Sequence, residues 1–193
     1  MKASDSYPIL PFDSQASWET WLEANEAHAK GVWLKIVRKE SSIPSVHYAE
    51  ALESALCYGW IDGQKAALDE QFWLQKFTPR GSKSGWSKIN CAKAEALMAA
   101  GRMQAAGLRQ VELARADGRW EGAYESQSTI RVPEDLQNTL DGHPAAQAFF
   151  NSLNSANRYA VLYRVTTAKK PGTRAARIVK LVEMLERNEK IHP

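Results

Sequence analysis

The sequence predicts an α+β fold: a small antiparallel sheet in the N-terminal half covered by helices, and an all-helical C-terminal half. Three observations predict it. Stretches rich in β-branched and aromatic residues with partial alternation occur only before residue 80. Beyond that point apolar residues recur at helical spacing, with Gly or Pro punctuating each segment. All seven tryptophans (18, 21, 33, 60, 73, 86 and 120) lie in the first two thirds, where large rings can build a compact core.

The elements follow in order. After a Pro-containing leader, residues 17–29 carry Trp18, Trp21 and Leu22 at helical spacing, with Gly31 placed to end the helix. Residues 32–38 read as a strand, and Ser41-Ser42-Ile43-Pro44 as a loop. A helix over 48–58 presents Ala51, Leu52, Ala55 and Leu56 on one face, and Gly59 stops it. Residues 60–65 and 71–77 read as a hairpin. The Pro- and Gly-containing run 78–87 has no periodicity and is a loop. Ser87 is a candidate N-cap for a helix over 88–100, which Gly101 ends, and a further helix over 104–116 closes at Gly118. Pro133, Pro144 and Pro171 sit where helices start, since a missing N–H costs nothing there. The last helix, over 173–187, is expected to face the core with Ala175, Ile178, Val179, Val182 and Leu185. Residues 1–121 would form the α+β part and 133–193 a helical part packed on it as one unit, with the polar stretch 122–132 as the candidate linker.

Composition narrows the function. The 193 residues are 44% hydrophobic and 24% charged, ordinary for a globular chain, which excludes disorder and fibrous repeats. The longest apolar runs fall far short of a membrane span of roughly 20 residues, so no membrane insertion is expected. The first residues lack the apolar core of a secretory signal, and Cys57 and Cys91 do not make a disulfide framework. A cytoplasmic protein with two reduced, buried thiols is expected.

The net charge of +3 hides a segregation. Residues 76–93 hold five basic side chains and no acid; residues 158–193 hold nine basic side chains against three acids. These two stretches carry +11 between them and leave −8 for the rest, so local attraction for an anion is expected rather than general stickiness. In the first stretch a loop bearing Arg80, Ser82, Lys83 and Ser84 runs into a helix start at Ser87-Lys88. Cations and free amide N–H groups would meet there around a phosphate or carboxylate, with Trp86 as an apolar wall. The competing reading has Arg80 paired internally, with Asp62 for instance, and the lysines merely solvated. For the C-terminal stretch the plain reading is the solvated face of an amphipathic helix. Nucleic-acid backbone binding is the alternative, with no motif behind it.

Other chemistry finds little support. Gly81-Ser82-Lys83-Ser84-Gly85-Trp86 lacks the Gly-Lys-Ser/Thr ending of a P-loop, and no dinucleotide glycine pattern occurs, so no cofactor is expected. His47 and Cys57 stand ten residues apart and cannot form a nucleophile–base pair within one helix. The four histidines share no metal-ligand spacing. Asp62, in Trp60-Ile61-Asp62-Gly63, is either a ligand-contacting carboxylate or general base, or a turn aspartate bonding its own backbone.

The run Ala55-Leu56-Cys57-Tyr58-Gly59-Trp60-Ile61-Asp62-Gly63 resembles the signature of the YdeI/OmpD-associated, or bacteriocin-protection, family. So do Phe77-Thr78-Pro79-Arg80, Lys83-Ser84-Gly85-Trp86-Ser87-Lys88-Ile89-Asn90 and Gly101-Arg102-Met103. Ala106-Gly107, Asp117-Gly118-Arg119-Trp120, Pro133-Glu134-Asp135-Leu136 and Ala168-Lys169-Lys170-Pro171-Gly172-Thr173-Arg174 extend the likeness over roughly residues 18–190. The resemblance implies a role in stress or bacteriocin protection and states no chemical activity. The combined expectation is a non-enzymatic binding protein for a small anionic ligand or a protein partner. Its site would comprise Trp60, Asp62, Arg80, Lys83, Ser84, Trp86, Ser87, Asn90 and Arg102. An enzyme with Asp62 as base, acting on a phosphorylated or carboxylated small molecule, is the other reading, and nucleic-acid binding through both basic stretches a third.

Overall fold

A computed structural model describes residues 7–38 and 43–193. The start of the leader and the Ser41-Ser42 part of the expected loop lie outside the described residues. The described chain folds as α+β, with a four-stranded sheet in its N-terminal half and eight helices. It divides into two compact units: one runs to Trp86 and takes in Asn90–Glu121, the other comprises Ser87–Ile89 and Gly122–Pro193.

In the first unit the order is β1 (Ile9–Pro11), α1 (Gln15–Asn25), β2 (Val32–Val37), α2 (Tyr48–Cys57), β3 (Trp60–Ala67) and β4 (Phe72–Pro79). Two further helices follow, α3 (Lys88–Ala99), whose residues from Asn90 on belong to this unit, and α4 (Ala105–Ala116). The strand order is β1-β2-β4-β3. The two long pairings are antiparallel, β2 on β4 with Val32 opposite Phe77 and β3 on β4 with Trp60 opposite Pro79. The short β1, which lies in the stretch read as a leader, adds a parallel edge to β2 with Ile9 opposite Trp33. Three residues give no readable period, which is why it escapes the sequence pattern.

Ser14 starts α1, its hydroxyl accepting from the Ser17 amide at 3.3 Å. Gly31 does not cap that helix. The helix ends at Asn25, and Gly31 is buried where a Cβ would stand 2.9 Å from the Tyr7 ring and 3.0 Å from Thr78 Cγ2. Gly59, Gly101 and Gly118 do hold the left-handed conformation expected after helices, at φ of 75°, 67° and 72°. The closest approach is at Gly107 in α4: a Cβ there would lie 2.2 Å from the Cys57 carbonyl oxygen, so only glycine lets α4 pass α2.

The core under the sheet is aromatic. Trp18 and Trp21 stack at 5.3 Å, and both meet the Trp60 ring edge to face. Phe12 and Phe77 close the group against Trp18. The Trp18 indole N–H donates to the Ala51 carbonyl at 3.1 Å, tying α1 to α2. A bulge between Asp62 and Lys65 disrupts the ladder of β3, and the buried Gln75 amide donates to the carbonyls of Gly63 and Gln64 there.

The second unit holds α5 (Glu134–Asp141), α6 (Pro144–Ser152), α7 (Ser155–Thr166) and α8 (Pro171–Glu186). Leu136, Leu140, Phe150, Val161, Leu162 and Val165 pack against Ile178, Leu181, Val182 and Leu185. The buried stripe of α8 therefore includes Leu181, whereas Ala175 and Val179 are exposed. Positions 178, 181, 182 and 185 follow the 3.6-residue period, and Val179 is turned about 100° off it. The stretch read as a linker belongs to this unit, with Ile130 and Val132 packed on its core.

Candidate functional site

The loop after β4 begins with a buried cation. The Arg80 amide donates to the Gly59 carbonyl at 3.0 Å. Its guanidinium lies 3.6 Å over the Trp86 ring and donates from Nη1 to the Gly85 carbonyl at 3.2 Å. Arg80 is 5% exposed and Trp86 1%. The loop folds on itself: Ser84 N–H donates to the Gly81 carbonyl and Gly81 N–H to Ser84 Oγ, both at 3.0 Å. Arg119, ion-paired with Asp117, donates to the Ser84 carbonyl at 2.9 Å. Trp120 stands 4.8 Å from Trp86, and Arg115 lies 5.0 Å from the Trp120 ring. The alternation of guanidinium and indole pins the loop, leaving Lys83 exposed at its tip.

Arg80, Ser84 and Trp86 therefore meet in one cluster, while Trp60, Asp62 and Arg102 are held by other partners. Trp60 belongs to the tryptophan core. The Asp62 carboxylate accepts from the Tyr48 hydroxyl at 2.8 Å. Burial, reinforced by that bond, pushes the Tyr48 phenol well above its usual range. Arg102 bridges Glu19 and Glu53, 3.3 Å from each, in a network that also engages Lys93 and Ser54. Asn90 is buried on α3. In the second unit Ser87 pairs with Tyr124, the Lys88 amide donates to the Tyr124 carbonyl at 2.9 Å, and Lys88 is ion-paired with Glu125. A carbonyl and a carboxylate of the chain itself thus stand where an anion was expected at the start of α3. Both thiols are buried, and burial pushes Cys57 and Cys91 up to about 11, so neither is a nucleophile near neutral pH.

A different cluster emerges where α7 meets α8. Tyr163, Arg164, Thr167, Arg177, Lys180 and Leu181 line a hollow of about 470 Å³. Arg164, Arg177 and Lys180 are exposed, and none has a carboxylate within ion-pair distance among the described residues. Three of the C-terminal carbonyls of α7, which would repel an anion, are engaged. Arg177 Nη1 donates to the Arg164 carbonyl and Arg174 Nη1 to the Val165 carbonyl, each at 2.9 Å, while Thr167 Oγ1 donates to Tyr163. Arg174 is itself anchored by Asp135, with 2.8 Å between Nη2 and Oδ1. That hydrogen bond holds the Asp135 carboxyl below the usual carboxylate range. Sequence reasoning counted these cations but did not single them out. The signal was the spacing of Arg177 and Lys180, three apart on the polar side of one helix, beside the aromatic pair Tyr159 and Tyr163, four apart on the other.

Among the described residues no group of histidine, cysteine and carboxylate side chains is placed to hold a metal, and no helix is long and apolar enough to cross a membrane. Two successive domains account for most of the chain. Residues 10–110, just over half, match a family described as a domain of unknown function, DUF8412, and residues 129–188 match the one described as Bacteriocin-protection, YdeI or OmpD-Associated. The chain belongs to the DUF8412 family and carries a YdeI/OmpD-associated domain in its C-terminal part. Of the likeness read over residues 18–190, the YdeI/OmpD match covers residues 129–188, while the motifs from Ala55–Gly63 to Ala106-Gly107 fall within the DUF8412 match. No curated protein and no solved structure matches the chain.

Proposed function

We propose that the protein is a non-enzymatic, cytoplasmic binding protein for a small anion, phosphate or carboxylate, taken up in the hollow of α7 and α8. Through that binding it contributes to the protection that its C-terminal domain's family description names. One observation carries the reading: three cations without carboxylate partners among the described residues line a single hollow against a tyrosine wall. Charge-assisted hydrogen bonds to such a ligand contribute about 1.5–3 kcal/mol each. The loop at Arg80 is a poorer receptor, since its guanidinium is already stacked and hydrogen-bonded within the protein.

The test is thermal unfolding in inorganic phosphate against chloride of equal ionic strength. At 100 times Kd a ligand adds about 2.7 kcal/mol, a rise of roughly 5–10 °C for a chain of this size. The Arg164→Ala/Lys180→Ala variant should lose that rise, and Lys83→Ala should keep it. The opposite pattern would move the site to the loop, and no rise in any protein would end the proposal.

A further inference from the structure

The basic hollow has a neighbour. Gln127, Ala156, Tyr159, Ala160, Tyr163, Arg164, Ile191 and His192 line a second hollow of about 420 Å³ in the same unit. Tyr163 and Arg164 are walls of both, so the two hollows adjoin at these residues of α7. Each volume lies in the range of about 300–1,000 Å³ common for ligand pockets.

The two halves differ in chemistry. One end is cationic, with Arg164, Arg177 and Lys180. The other is aromatic: Tyr159 and Tyr163 stand 5.8 Å apart, and Tyr124 abuts Tyr163 edge to face at 5.1 Å. This end is also fixed in shape. Asn157, 1% exposed, accepts from the His192 amide at 2.8 Å and donates to the His192 carbonyl at 3.3 Å. That clasp holds Ile191 and His192 as a wall. The Tyr159 hydroxyl donates to the Glu125 carbonyl at 3.1 Å, which sets the ring's orientation. The Glu125 carboxylate is engaged by Lys88 and Thr129. Gln127 adds an amide that both donates and accepts, the complement of a heteroaromatic edge.

We infer that the two adjoining hollows together take a nucleoside phosphate, its base against Tyr159 and Tyr163 and its phosphate among Arg164, Arg177 and Lys180. This rests on the anion-binding reading above and names the ligand class. A planar heteroaromatic ring joined through a short linker to a dianion suits both halves at once. Base–aromatic stacking tolerates all four bases, so a modest preference among them is expected.

Calorimetric titration of the whole chain with inorganic phosphate, ribose 5-phosphate and the four nucleoside 5′-monophosphates tests the inference. The monophosphates should bind at least tenfold more tightly than ribose 5-phosphate. Tyr159→Leu should reduce them to the ribose 5-phosphate level, whereas Tyr159→Phe should keep the difference. Arg164→Ala/Lys180→Ala should weaken every ligand. If phosphate binds and the base adds nothing, or if Tyr159→Leu leaves the difference intact, the nucleotide inference falls and the anion reading stands. If no compound binds, both fall. A single-stranded oligonucleotide binding far more tightly than any monophosphate, with a steep loss in salt, would replace the inference with a nucleic-acid interface.

Discussion

The two basic stretches, residues 76–93 and residues 158–193, are similar in charge and opposite in use. In the first, Arg80 lies on Trp86, Lys76 faces the Tyr7 and Trp33 rings, Lys88 pairs with Glu125 and Lys93 with Glu53. Those cations hold the protein together. In the second, Arg174 and Arg187 have carboxylate partners in Asp135 and Glu189, but Arg164, Arg177 and Lys180 gather around a hollow without one among the described residues. A cation whose field is already matched by a ring or an acid offers little to a ligand. Local charge therefore marks a site only where neighbouring acids and π-faces leave it uncompensated.

Mutations can break that contrast. Arg80→Ala should have the largest effect, because it removes a buried cation–π stack and leaves the Gly85 carbonyl without that donor. A loss of about 2–4 kcal/mol in denaturant unfolding is expected. A loss near zero would return Arg80 to the list of available cations. Asp135→Asn comes next. The carboxylate is 45% exposed, so solvent screening limits its pair with Arg174 to about 0.5–1 kcal/mol. Its lowered folded-state pKa makes that contribution present above about pH 4 and lost as pH falls through the depressed value. The wild type should therefore lose more stability than Asp135→Asn on acidification across that window. Smallest are Lys83→Ala and Lys180→Ala, both expected within about 0.5 kcal/mol of wild type. Lys180→Ala should change phosphate binding without changing stability, the reverse of Arg80→Ala.

The fold was largely legible because many of its elements are long and periodic: β2, the β3–β4 hairpin, α2, α3 and α4 stand where apolar spacing and Gly signals put them, and Pro133, Pro144 and Pro171 mark the starts of α5, α6 and α8. The misses have local causes. β1 is too short for a period, Gly31 serves close approach instead of a cap, and α8 turns Val179 outward in favour of Leu181. The candidate site was harder to read. Arg80, Ser84 and Trp86 do converge, yet whether a guanidinium meets a ligand or an indole depends on tertiary packing that linear order does not encode. The Arg164, Arg177 and Lys180 cluster joins two helices, and only their crossing brings it into being.

The sealed state of Cys57 and Cys91 has a practical corollary. With both cysteines buried and burial pushing their thiols up to about 11, both should react slowly with thiol-directed dyes in the native chain. One cysteine introduced on the exposed surface, at Ser128 for example, would take a fluorophore at a single known position without first replacing the two natural ones. A reporter beside the tyrosine-lined hollow is then within reach of a single codon change.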